Sequence, residues 1–201
     1  MPPNQTRSRR QPTARQRALL GELEELFLTE GFVEFTLDDL AARLHCSKST
    51  LYTLAASKEQ LAVKVVTHFF KGAAERIEQR IDGIDDASKI IEVYLAGVAD
   101  ELKRASERFM TDVAEFEPAR ATYRMNSQAA AGRIRSFIAK GVADGVFRDV
   151  HATLIAELAT LLVEGIQTGV VRSRTGVSDA DAFSALAELL LGGIQRREAS
   201  P

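Results

Sequence analysis

A chain of 201 residues, 45% hydrophobic and 27% charged, has the composition of a globular protein able to bury one large core or two smaller ones. Its net charge of −2 excludes a protein that coats nucleic acid by charge alone. Its single cysteine, Cys46, excludes a disulfide framework and a cysteine metal site. Pro118 and Pro201 are the only prolines after residue 12, Ala, Leu and Glu abound, and strand-type alternation is hard to find. The fold class is therefore all-α.

Residues 1–11 read as a disordered arm. Residues 1–20 carry Arg7, Arg9, Arg10, Arg15 and Arg17 and no acid, whereas residues 59–201 hold 18 basic and 21 acidic groups. A basic arm of this kind can supply phosphate attraction and counterion release, although an arginine-bearing tail with no such role has the same look. A first helix is predicted from about Pro12 to Glu30, with Ala18, Leu19, Leu23, Leu26 and Phe27 at 3.6-residue spacing and Gly31 as the stop.

Thr36 then stands as a cap three residues before Asp39, a capping box with a shorter acid. Leu37, Leu40, Ala41 and Leu44 place one apolar face on a very short helix. His45-Cys46 breaks it, His45 taking the turn position where glycine is usual, and Ser47 opens a second short helix beginning Lys48-Ser49-Thr50. Two short helices joined by a tight turn, with small polar and cationic groups leading the second, suit insertion into a DNA major groove. Ser57 with Gln60 is a further capping box, and it starts a long helix from Lys58 to about Ile81 with Leu61, Val65, Phe69, Ala73 and Ile77 on one stripe.

Taken together, Thr36-Leu37-Asp38-Asp39-Leu40-Ala41, Ser47-Lys48-Ser49-Thr50-Leu51-Tyr52 and Ser57-Lys58-Glu59-Gln60-Leu61 resemble the DNA-binding domain of TetR/AcrR-family transcriptional regulators. The strong match covers about thirty residues. Leu54, Ala55 and Ala56 depart from that pattern, where a polar or aromatic residue, an aromatic residue, and proline or glycine are usual. The resemblance implies base-edge contacts from Lys48, Ser49 and Thr53, and phosphate contacts from Thr36, Thr50, Tyr52 and Lys58. Without it, Tyr52 reads as a packing aromatic and Ser57-Lys58-Glu59 as a plain cap.

Beyond Gly83 the pattern predicts helices over 87–104, 106–116, 118–144, 151–172 and 178–195. The expected organisation is a basic arm at 1–11, a three-helix helix-turn-helix DNA-binding domain at 12–60, and a helical ligand-binding and dimerisation domain at 61–201. Leu154, Leu158, Leu161 and Leu162 form one apolar face, and Phe183, Leu186 and Leu190 another. By resemblance these last two helices pair with their symmetry mates in a homodimer, as a palindromic operator requires. The alternative is that both faces complete the monomer's core. The resemblance also implies a small hydrophobic effector. The aromatic and polar set Tyr94, Phe109, Met110, Asp112, Phe116, Tyr123, Phe137 and Thr160 is a candidate lining, although such residues more often form plain core.

His45, His68 and His151 are scattered, no phosphate-binding glycine loop is present, and no enzyme, metal or cofactor is expected. The apolar run Leu154–Val171 contains Glu157, Glu164 and Gln167, so no membrane span is expected and the chain reads as cytoplasmic. The function expected is a DNA-binding regulator, a repressor released from a palindromic double-stranded operator by a small molecule. The alternative is a helical interaction module that binds a protein partner.

Overall fold

The computed structural model describes residues 13–147 and 152–194, which fold into ten α-helices. The arm at 1–11 and His151 lie outside the described residues. Helix α1 (Ala14–Glu30) begins on a full capping box, Thr13 accepting from Gln16 N and Gln16 reaching back to the cap. It carries Leu19, Leu20, Leu23, Phe27 and Leu28 into the core. Helices α2 (Leu37–Arg43) and α3 (Lys48–Tyr52) are the predicted short pair, capped by Thr36 and Ser47. His45, at φ 48°, makes the turn between them in the left-handed region that histidine tolerates better than most residues.

Helix α4 (Lys58–Ile81) is the element common to both halves. Its first turns bury Leu61 and Val65, and it packs against α1 at one end and against α5 (Ala87–Lys103) and α7 (Glu117–Ala143) further along. Helix α6 (Glu107–Glu115) fills the corner between α1 and α7. Buried Ile91, Leu95, Ile134, Ile138 and Phe147 form the second half's core, continuous with the first.

The predicted helix over 151–172 is instead two, α8 (Ala152–Gln167) and α9 (Val170–Thr175). Gly169 sits between them at φ 73°, a left-handed step that ends a right-handed helix without the Cβ clash any other residue meets. Helix α10 (Asp179–Ile194) starts where Ser178 accepts from Asp181 N, and it packs on α5 and α8.

Candidate nucleic-acid interface and inner cavity

The leading face of α3 points away from the core. Leu51 is buried beneath it, while Lys48, Ser49, Tyr52 and Thr53 are exposed and Thr50 is half-buried. Ser47 takes part in the helix cap, its hydroxyl lying 2.7 Å from Ser49 Oγ and 2.9 Å from Thr50 Oγ1. Lys48 Nζ lies 2.7 Å from Asp38 of α2, an ion pair that holds its ammonium more basic than usual. Thr36 is exposed at the head of α2, bonded through its hydroxyl to Asp39, whose carboxyl is lowered by those hydrogen bonds. Half-buried Lys58, the first residue of α4, donates to Val33 O at 2.5 Å. All seven residues implicated by the motif thus lie on α2, α3, the first turn of α4, or their caps.

Residues at the start of α1 that the motif did not indicate join them. A recess of about 450 Å³ separates α1 from α3, lined by Thr13, Arg15, Gln16, Ser49, Thr50 and Thr53 among others. Gln16 Nε2 donates to Thr53 O across it. The α1 N-terminus, with its free N–H groups, therefore stands beside the exposed face of α3. A capping-box signal at Thr13 and Gln16 was present in the sequence, but nothing local says which surface it adjoins.

The segment feeding α2 is gripped from the other half. Asp112 of α6 is 1% exposed, and its Oδ2 accepts from the backbone N–H of Phe32 at 2.5 Å and of Val33 at 2.9 Å. Gly31 makes this approach possible. It stands at φ 77°, and a Cβ there would come within 2.5 Å of Asp112 Oδ2. Ser106 N donates to Leu28 O, and Arg108 reaches Glu34. Arg104 bonds Glu24 and Glu25 of α1 while also donating to Glu101. Glu24 is buried and accepts at His68 Nδ1 as well. Arg76 donates twice to Glu101 at 2.7 Å; these bonds, with Arg104 and against the effect of burial, hold the Glu101 carboxyl below its ordinary value.

Glu101 also lines a cavity of about 280 Å³ between α4, α5, α7 and α10, with Phe69, Phe70, Ile77, Tyr94, Tyr123 and Phe183 among its walls. It is largely apolar, at the small end of ligand-pocket volumes. Its two carboxylates are each paired, Glu101 with Arg76 and Glu78 with Arg133 through two bonds of 2.7 and 2.6 Å. Burial pushes the Tyr94 hydroxyl up to about 12 and, with Asp179 as hydrogen-bond acceptor, raises that of Tyr123 well above its usual value.

Of the eight residues singled out for a ligand, Tyr94 and Tyr123 line this cavity. Phe109 and Phe116 pack edge-on against Phe32 instead, in an aromatic cluster that joins the two halves. Phe137 lies behind Tyr94, and Met110 borders a recess beside α9 and α10. Asp112 is the grip on Phe32, and Thr160 donates to Ala156 O and accepts from Arg135. Phe70, Glu101 and Phe183 belong to the cavity but were not in that set. Only the packing of four helices brings them to one place.

The outer face divides similarly. Leu154, Leu158, Leu161 and Leu162 of α8 are exposed, as is Leu189 of α10. Phe183, Leu186 and Leu190 point inward and are 2%, 4% and 6% exposed. Among the described residues no three His, Cys, Asp or Glu side chains are placed to hold a metal, and no helix is long and apolar enough to cross a membrane.

Residues 19–65 match the sequence profile of bacterial regulatory proteins of the tetR family. No curated protein sequence matches the chain. Solved structures share its fold. A candidate transcriptional regulator from Saccharomonospora viridis, in complex with choline, is 21% identical at a TM-score of 0.68, over 90% of this chain and 97% of that one. PfmR, a TetR-family regulator from Thermus thermophilus, is 22% identical at a TM-score of 0.60, over 89% and 99%. A TetR/AcrR-family regulator from Thermobifida fusca is 23% identical at a TM-score of 0.62, over 92% and 100%.

Proposed function

We infer that this chain is a TetR-family regulator whose DNA-binding domain spans about residues 12–60, overlapping the profile match at 19–65, and that it acts as a homodimeric repressor whose operator binding is governed by a small molecule in the α4–α5–α7–α10 cavity. The observation that carries the reading is a shared residue. Glu101 lines the cavity and, through Arg104, is tied to Glu24 and Glu25 on the first helix of the DNA-binding half. A ligand that prefers one placement of this wall over another changes DNA affinity by the same preference, typically about 1–3 kcal/mol.

In this reading Lys48, Ser49 and Thr53 meet base edges, while Thr36, Thr50, Tyr52 and Lys58 meet phosphates. Two such faces, one per subunit, read a palindrome, and the exposed leucines of α8 supply the interface. The choline found with the Saccharomonospora viridis protein supports a small-molecule effector as a class, without indicating this one's identity. The test is selection of bound DNA from a random duplex pool, followed by thermal-shift screening for compounds that also release the selected site. A single symmetric sequence recovered at physiological salt supports the reading. Recovery of nothing above background overturns it and leaves a partner protein on the α8 leucine face as the better account.

A further inference from the structure

Behind Tyr123 lies a second recess of about 560 Å³, a groove between α7 and α8 lined by Glu117, Arg120, Arg124, Gln128, Glu164 and Gln167 among others. It differs from the apolar cavity in kind. Its α7 wall carries surplus positive charge, since Arg120 and Arg124 both address the single carboxylate of Glu117. It also contains the one buried side-chain polar atom without a partner among the described residues, the amide nitrogen of Gln167. A buried N–H with no acceptor is destabilising, and native folds rarely keep one without a use. Arg120 already donates to Glu117 and to Ala114 O, so Arg124, whose contact with Glu117 is a loose 3.7 Å, and the Gln167 amide are the donors with capacity left for an oxygen-rich acceptor.

Groove and cavity share one lining residue. Tyr123 lines both; its ring stacks on Phe70 with centroids 5.0 Å apart, and its hydroxyl donates to Asp179. We propose that the two recesses form one site for an anionic amphiphile, the acidic head seated by Arg120, Arg124 and Gln167 and the apolar tail beyond Tyr123 in the cavity. This deepens the effector reading above and rests on it. The cavity alone selects no charge, because Glu78 and Glu101 are already paired there, so head-group chemistry is decided in the groove. Glu164, exposed on α8 one turn from Gln167, opposes an anion and gives the test its sign.

The experiment is calorimetric titration of the full chain with three probes sharing one tail: decanoate, decanol and decyltrimethylammonium. Decanoate should bind about tenfold or more tighter than decanol, as a charge-assisted hydrogen bond outweighs a neutral one. Arg124→Gln should erase that difference and leave decanol unchanged, whereas Glu164→Gln should strengthen decanoate. Gln167→Met should raise the melting temperature of the unliganded protein while weakening decanoate, a pair of opposite effects that a merely structural glutamine does not produce.

Decanol or the ammonium probe binding as tightly as decanoate overturns the proposal, as does Gln167→Met lowering stability and affinity together. Because Arg124 is exposed, Arg124→Gln remains informative if the buried variant fails to fold. Decanoate that binds as described but never releases a selected operator leaves the site standing and removes the switch. A chain that binds operator but not decanoate loses only the site.

Discussion

Asp112 and Phe32 are 80 residues apart in sequence, yet a carboxylate oxygen of one accepts the backbone N–H of the other at 2.5 Å in the interior. With the second bond to Val33, this carboxylate satisfies two successive donors in the segment that leads into the helix-turn-helix. It fixes where α2 begins relative to the cavity-bearing half.

Asp112→Ala is therefore expected to strand both donors, at about 1–3 kcal/mol each if they stay dry. Differential scanning calorimetry should show a fall in melting temperature of several degrees, and Asp112→Asn, which keeps one acceptor oxygen, a smaller one. Gly31→Ala should behave like the alanine variant, because its methyl group occupies the carboxylate's position. An unchanged melting temperature in both Asp112→Ala and Gly31→Ala sinks the idea of a structural grip.

Lys48 and Asp38 yield opposite expectations for DNA. Lys48→Ala should cost about 1–3 kcal/mol on a selected operator and relax preference at one base position per half-site. Asp38→Asn frees the ammonium and removes a negative charge from the same surface. It should strengthen binding to random duplex and steepen the salt dependence. Equal effects of both variants on operator and random DNA would show that the pair lies outside the contact.

Leucines that look alike in sequence should part company in sedimentation. Leu158→Glu, on the exposed face of α8, is expected to give a folded monomer that no longer binds operator. Leu190→Glu puts a carboxylate at a 6% exposed core position and should unfold the chain instead, an effect of several kcal/mol. A folded dimer from Leu158→Glu would exclude that face from the interface.

Tyr94 and Tyr123 set the behaviour in alkali. Both hydroxyls ionise at higher pH in the fold than in the open chain, the first near 12 and mainly through burial. Their contribution to stability is complete below the unfolded value near 10 and is lost as pH rises through the folded one. The melting temperature should fall steeply above about pH 10, and less so in Tyr94→Phe. Phenolate absorbance from these two residues should rise together with unfolding. Its appearance in the intact fold near pH 10 would contradict the burial described.

The helix-turn-helix was legible because its information is local. Caps at Thr36, Ser47 and Ser57 and the leucine spacing of two short helices all fall within about thirty residues, and the structure has all three caps, although the Gln60 side chain accepts from Ala56 N and does not close a box on Ser57. Long-range relationships were not legible. Asp112, flanked by Met110 and Val113, reads equally as a ligand anchor or a surface acid until α6 is set against residue 32. On α10 the spacing of Phe183, Leu186 and Leu190 marks one apolar face, but periodicity does not say whether that face meets the chain's own core, as it does, or a symmetry mate. The break at Gly169 was hidden because the hydrophobic pattern continues across it into Val170 and Val171. Aromatic residues marked the second half correctly as mixed in character, but whether a ring borders a void or fills one depends on helices distant in sequence.

Helix α4 runs unbroken for 24 residues, from the Lys58 that touches the loop before α2 to the Ile77 that borders the cavity and on to Ile81. At 1.5 Å per residue it is a rod about 36 Å long. A tilt of only about 5° about one end swings the other by about 3 Å, close to the rise of one base pair. In the homodimer proposed above, two such rods would double the error in separation, and a ligand that shifted the cavity wall by less than the width of an atom would produce, by lever arm alone, a misfit measured in base pairs.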